Sequence, residues 1–464
     1  MSAALRLAET FARGARRPLR ILGASGQLGY GIPSAALEAG LKRAPDMIGC
    51  DMGSIDIGPN YLGSGTMATT RVGAKRDLRK VLRAARSLDV PLVIGSAGSA
   101  GAAPHLAETL AIVREIAHED GLSFKLASIT ADIPRDEVKR AIRARRVLPM
   151  DTMPELCEDE VDAAAHLVAQ MGLEALRRGL ETGADVVVAG RACDTAIFTA
   201  LPAMLGFPLG LATHMAKIVE CASICCVPGG RDAILATLDD EGFELESMNP
   251  MRAATPSSVA AHGLYEQADP FEIREPGGTV DLNHVSYQAI DARRTRVSGA
   301  RFTPTKTVRV KLEGARLVGQ RSVLLCATTD PRFIERHETI FAGLKEQVSG
   351  LVCEDAPEDY TLLFRVYGVN GGHDWTTPAP APREAFILVE CIAPTLDRAE
   401  EVIRTTKQYL LHYGFEGRLS TAGNVAFPFT PPEVAIGPAF RFNVFHLMEA
   451  DNLERLFPVS LETL

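Results

Sequence analysis

Five short apolar runs punctuate the first 200 residues, at 19–23, 46–51, 91–95, 125–130 and 186–190. Each gives way to Gly, Ser or Asp: Ala24-Ser25-Gly26, Met52-Gly53-Ser54, Ser96-Ala97-Gly98, Ala131-Asp132 and Arg191-Ala192-Cys193-Asp194. Between them the apolar period lengthens. Leu106, Leu110, Val113 and Ala117 recur at steps of four, three and four, which predicts one face of a helix. Leu167, Met171, Ala175 and Leu180 predict another, with Gly183 at its C-terminal cap. A further helix is expected over 214–226, stopped by Pro228-Gly229-Gly230. An Arg-rich stretch, 5–20, reads as a leading surface helix or as an organelle transit peptide.

Runs too short for helices that alternate with helical patterns predict βαβ units. The expected fold is therefore α/β: a mainly parallel sheet with helices on both faces, Rossmann-like and three-layered. From 239 to 304 the texture is richer in turns (Asn249-Pro250, Asp269-Pro270, Glu275-Pro276-Gly277-Gly278) and predicts an irregular insertion. Alternating strands are expected at 307–312 and 323–328. A smaller α+β C-terminal domain is expected over 356–464, against a main domain over 1–345. It has strands at 362–367, 385–391 and 441–446 and a helix over 396–412.

Composition narrows the function. The chain of 464 residues is 46% hydrophobic and 23% charged, ordinary for a globular protein. A net charge of −9 argues against nucleic acid or a membrane surface as partner, while leaving room for an anion held by backbone N–H groups. No apolar run reaches the roughly 18 residues that span a bilayer, and no secretory leader is evident. Nine scattered Cys suggest reduced thiols and a cytoplasmic setting. Cys221, Cys225 and Cys226 cluster, but no second cluster at zinc-like spacing completes a ligand set, so no metal is expected.

In an open parallel sheet, ligands bind beyond the carboxyl ends of the strands. That rule makes Ser25, Gly26, Asp51, Ser96, Gly98 and Arg191 candidate ligand-binding residues. The bland alternative is that tight turns use Gly and Ser anyway. The first turn spaces Gly23, Gly26 and Gly29 by three, so it is not a dinucleotide fingerprint. Asp51 stands where a ribose-binding acid would, which keeps a nucleotide-dependent oxidoreductase as a minor alternative. Arg191 suits bidentate gripping of a carboxylate or phosphate. Asp194 can orient it, cap the next helix or move a proton.

His214, Lys217 and Glu220 fall on one helix face, as a general base with its orienting group or as a surface ion cluster. Glu275, Gly277, Gly278 and Asp281 form a loop that either approaches the ligand or simply turns. Arg301, after Ser298-Gly299-Ala300, adds a cation, and His373, Asp374 and Trp375 suggest a lid. The candidate catalytic set is thus Asp194, His214, Glu220 and Glu275.

A set of segments resembles the acyclic terpene utilisation (AtuA-like) family in its long form, formerly a domain of unknown function. They are ILGASGQLG at 21–29, VIGSAGSAG at 93–101, VVVAGRACDTA at 186–196, HMAKIVECAS at 214–223, LYEQADPFEIREPGGTVDLNHV at 264–285 and RVSGARFTP at 296–304. FRVYGVNG, STAGNVAFPFTP and FRFNVFHLMEADNLERLFP follow in the C-terminal third. The chain departs from the terpene-pathway pattern in its extended C-terminal region, and in Gly95-Ser96-Ala97-Gly98 where Gly-Gly and Asn would stand.

The resemblance implies bacterial catabolism of branched acids through acyl-CoA intermediates, and no assigned catalytic residues. Together these readings predict a lyase, hydratase or isomerase of a small carboxylic acid or acyl-CoA; they leave the cofactor unassigned, with the CoA moiety of the substrate as the one candidate. The alternative is a non-catalytic subunit that presents such a ligand to a partner. A homo-oligomer or a partner subunit is expected either way.

Overall fold

The computed structural model describes residues 2–14, 16–354, 357–368, 384–419 and 423–464. It is a mixed α/β protein that divides into two compact units, Met1–Arg316 with Phe442–Leu464, and Leu317–Arg441. The division differs from the expected one between 345 and 356. The two alternating segments at 307–312 and 323–328 are one uninterrupted strand, Arg309–Thr328, so the pattern there contains no break to mark a boundary.

In the larger unit all five apolar runs are strands: Leu19–Ser25, Met47–Asp51, Leu92–Gly95, Lys125–Ile129 and Val186–Ala189. They lie parallel, with Val186–Ala189 inserted between Leu92–Gly95 and Lys125–Ile129. Their residues alternate between two cores. Leu22, Ile48, Ile94 and Val188 join Leu78, Val81, Leu106 and Val113 from the helices Arg71–Leu88 and Ala103–Asp120. Ile21, Met47, Val93 and Val187 join Leu176, Phe198 and Met215 from the helices Leu173–Glu181, Asp194–Met204 and Leu209–Val219. Period two in the strands thus sorts successive side chains into two hydrophobic cores.

The segment 239–304 is more regular than its turns suggest. Gly242–Ser247, Arg294–Ser298 and Ser286–Ala289 extend the central sheet antiparallel, beyond Ile234–Leu238. Glu272–Glu275, Gly278–Asp281 and Arg301–Pro304 make a small separate sheet. The far edge of the central sheet is Val459–Thr463, which pairs antiparallel with Lys125–Ile129 and makes ten strands among the described residues. This final strand is absent from the sequence expectation: it is five residues long, with Leu461 exposed, and lies on the edge of the sheet.

Two helix expectations are also corrected. Leu167 belongs to a strand, His166–Ala169, and the helix begins only at Leu173. The helix expected over 214–226 runs Leu209–Val219 and gives way to a single tight turn at Ala222–Cys225. Near the N-terminus, Ala3–Ala12 is helical.

The smaller unit pairs Thr361–Tyr367 with Ala385–Ala393, and the latter with Gln320–Thr328, all antiparallel. Helices Pro331–Val352 and Leu396–His412 cover them around Leu324, Phe333, Leu344, Val389 and Ile403. No helix among the described residues is long and apolar enough to cross a membrane.

Candidate functional site

Many of the turn N–H groups that an anion would need are spent within the protein. Gly29 and Gly31 donate to Asp77 Oδ2 at 3.0 and 2.7 Å. Ser96 and Ala97 donate to Gly190 and Ala189 carbonyls, and Arg191 donates to that of Gly101. Glycine makes this last closure feasible: a Cβ on Gly101 would lie 2.1 Å from the Arg191 nitrogen. Gly98, at φ +64°, packs on His105. The third and fifth turns are therefore fastened back to back, and Ser96 is fully buried between them, its Oγ 3.3 Å from Arg191 Nη1.

Arg191 does grip a carboxylate in a fork, but the carboxylate is the protein's own. Nε and Nη2 donate to Glu313 at 2.8 and 3.2 Å, and the side chain is 3% exposed. Lys311 Nζ stands 3.0 Å from the same Glu313. Burial works to raise the Glu313 pKa, and the two cations outweigh it and hold it below the usual range.

Open space lies on either side of the turn that starts the helix Asp194–Met204. One hollow, about 150 Å³, is bounded by Ser25, Gly26, Asp51, Asp56, Asp194, Cys221, Arg231, Tyr265 and Glu266. Asp51 is 4% exposed. Its Oδ2 accepts from the Gly53 N–H at 3.0 Å, while its Oδ1 has no hydrogen-bond partner. The Oδ1 of Asp194 is unpartnered too; Arg191 Nη1 approaches it only to 3.9 Å. Burial pushes Asp51 well up, helped by the charge of Asp194, and pushes Asp194 up against the opposing Arg191 and Lys217. Behind them Glu220 is buried and raised in the same way, against the Lys217 ammonium 2.6 Å away. Burial and the Glu220 charge push the Cys221 thiol up, keeping it protonated.

The second hollow, about 210 Å³, is walled by Leu173, Ala196, Thr199, Leu209, Pro276, Gly277 and Phe302. Here burial raises Glu275 to about 7, although the Thr195 hydroxyl donates to it at 2.7 Å. Across the turn the charge of Asp194 adds to the rise of Glu275.

The structure thus brings Ser25, Gly26, Asp51 and Asp194 to one hollow and Glu275 and Gly277 to the neighbouring one. Ser96, Gly98 and Arg191 form the packed support. His214 lines neither hollow. It is fully buried, edge-on to Phe243 and Tyr287 and 3.4 Å from the Tyr287 hydroxyl, and burial lowers it to about 4. The helix bearing His214, Lys217 and Glu220 is interior, contrary to the surface-cluster reading. Gly278 packs on Thr303 and Phe302 within its sheet, and Arg301 is exposed away from both hollows. The lid residues His373, Asp374 and Trp375 lie outside the described residues. Sequence reasoning missed Arg231 and Glu313. The turn Pro228-Gly229-Gly230 just before Arg231 was noted only as a helix stop.

A mixed sheet with tight turns at its strand ends, and carboxyls with unpartnered oxygens in a hollow beside them, define an α/β protein with a candidate acid site. The model of the acyclic terpene utilisation family protein AtuA matches residues 20–240 and 249–430, and the chain belongs to that family. No curated protein and no solved structure matches it.

Proposed function

We propose that this chain, on a Rossmann-like three-layer body, is a catabolic enzyme of lyase, hydratase or isomerase type that acts on a small carboxylic acid or its CoA thioester. One observation supports the reading above the rest: the buried Asp51 and the partly buried Asp194 each keep a buried oxygen without a partner and bound the same hollow. A buried acid left unsatisfied costs stability, of order 1–3 kcal/mol or more. It persists where something else uses it.

Two desolvated neighbouring carboxyls cannot both ionise easily, so one proton is held between the pair's two sites. The neutral member donates a proton and the ionised member takes one, which is the equipment for adding or removing H and OH, or for moving a double bond next to a carbonyl. Arg191 acts as a positioning residue: it fixes the turn that carries Asp194 and sets the field at both acids.

The test is a thermal-shift screen of the whole chain against CoA, acyl-CoAs and di- and tricarboxylates, with turnover measured on every hit. Asp51→Asn and Asp194→Asn are each expected to lower kcat by about 10²–10⁴ while leaving binding in place. Full turnover by Asp51→Asn rejects the reading. Binding without turnover in the unaltered protein would instead mark a subunit that presents its ligand to a partner.

A further inference from the structure

The hollow that holds Asp51 and Asp194 has four acids in its lining and one arginine. Asp56, Glu266 and the acid pair face Arg231 there. The other cations near the site are committed: Arg191 to Glu313, Lys217 to Glu220, and Arg252 to Asp232. Arg231 has no carboxylate within ion-pair distance among the described residues; its guanidinium lies over the Tyr30 ring, 5.6 Å from the centroid.

Its placement is built, not incidental. Arg252 Nη1 donates to the carbonyls of Pro228 and Gly229 at 2.7 and 2.6 Å, and its Nε donates to Asp232. Gly230 donates to the Ser223 carbonyl at 3.1 Å, and Ser223 donates to that of Asp232 at 3.0 Å. A Cβ on Gly230 would fall 2.1 Å from Arg252 Cζ. The residues on both sides of Arg231 are therefore pinned to the body, and only its own side chain is left at the mouth. An exposed guanidinium that rests over an aromatic ring without an ion-pair partner keeps its fork of donors available.

We propose that Arg231 is the anchor for the anionic end of the substrate, a pair of oxygens on a carboxylate or a phosphate, with the reacting carbon then lying toward Asp51 and Asp194. This rests on the reading that the acid pair is the reaction centre. Bidentate guanidinium–oxyanion pairing supplies orientation as well as affinity. Asp56 and Glu266 oppose an anion there, Glu266 partly offset by Lys217 3.7 Å away, and a cation at the mouth favours its entry.

The experiment titrates the whole chain with citrate, 3-methylglutarate and its dimethyl ester, CoA and isovaleryl-CoA, by calorimetry. The unaltered protein is expected to bind at least one anion and not the diester. Arg231→Met should weaken that binding at least tenfold with an unchanged melting temperature, and Arg231→Lys should restore part of it. Binding by free acids identifies a carboxylate as the anchored group; binding by CoA species alone identifies a phosphate. Equal affinity in Arg231→Met, or no anion bound by the unaltered protein, overturns the proposal. If Arg231→Met loses binding while Asp51→Asn and Asp194→Asn keep turnover, the anchor stands and the acid pair falls. If the aspartates matter and Arg231 does not, the reverse holds.

Discussion

Glu313 and Asp51 are both buried carboxylates of the larger unit, and they have opposite fates. Glu313 sits between Arg191 and Lys311, accepts on both oxygens, and is held ionised. Asp51 receives one backbone N–H, faces another acid, and is pushed toward its neutral form. Burial alone therefore does not mark a site. What separates the two is whether the protein supplies partners for every lone pair. Where it does, the charge is scaffolding; where it does not, an oxygen remains for something that enters from outside.

The largest effect that would sharpen this contrast is on the scaffold. Arg191→Met strands Glu313 without its fork and should lower unfolding free energy by about 3–5 kcal/mol in urea titrations. A loss under about 1 kcal/mol would mean that Glu313 has other means of satisfaction.

Next comes Glu275, raised to about 7 from an unfolded value near 4.5. A carboxyl raised on folding contributes stability that is complete below pH 4.5 and is lost as pH rises through 7. Glu275→Gln should remove up to about 3 kcal/mol of that decline, and melting curves between pH 4.5 and 8 will show a flatter profile. An unchanged slope would assign the decline to the other raised acids, Asp51, Asp194 and Glu220.

Gly101→Ala forces a Cβ against the Arg191 backbone at φ +66° and should cost roughly 1–3 kcal/mol. It disturbs Asp194 through the turn, so activity should fall with stability. The smallest stability effect belongs to Asp51→Asn, which replaces a costly buried acid by an amide. Its unfolding free energy is expected to stay level or rise by about 1 kcal/mol at most. A marked loss would make Asp51 a scaffold residue like Glu313 and break the comparison.

Much of the fold was legible along the chain. The five parallel strands are short apolar runs with turn residues after them. The helix Ala103–Asp120 carries its spacing on its face, with Leu106, Leu110, Val113 and Ala117 all buried. Where local signals were weak, the reading drifted: Leu167 fits a helical spacing but is a strand residue, because Leu312–Ala315 lies beside His166–Ala169 and pairs with it. The strand Val459–Thr463 exists because Lys125–Ile129 offers a free edge more than 300 residues earlier.

The site divides in the same way. Ser25, Asp51 and Asp194 were legible because strand ends in a parallel sheet point to one side, a rule of local geometry and connection. Which of those turns would be open was not legible. That depended on Glu313, 122 positions from Arg191, taking the arginine that looked free, and on Arg252 holding Arg231 out at the rim. Sequence by itself determined the strands, the turns and the residue types at the sheet edge, because these follow from period and from small local motifs. Only the tertiary structure decided which charges are matched and which are bare, because an ion pair is made by whatever the folded chain brings within about 4 Å, whatever its distance along the sequence.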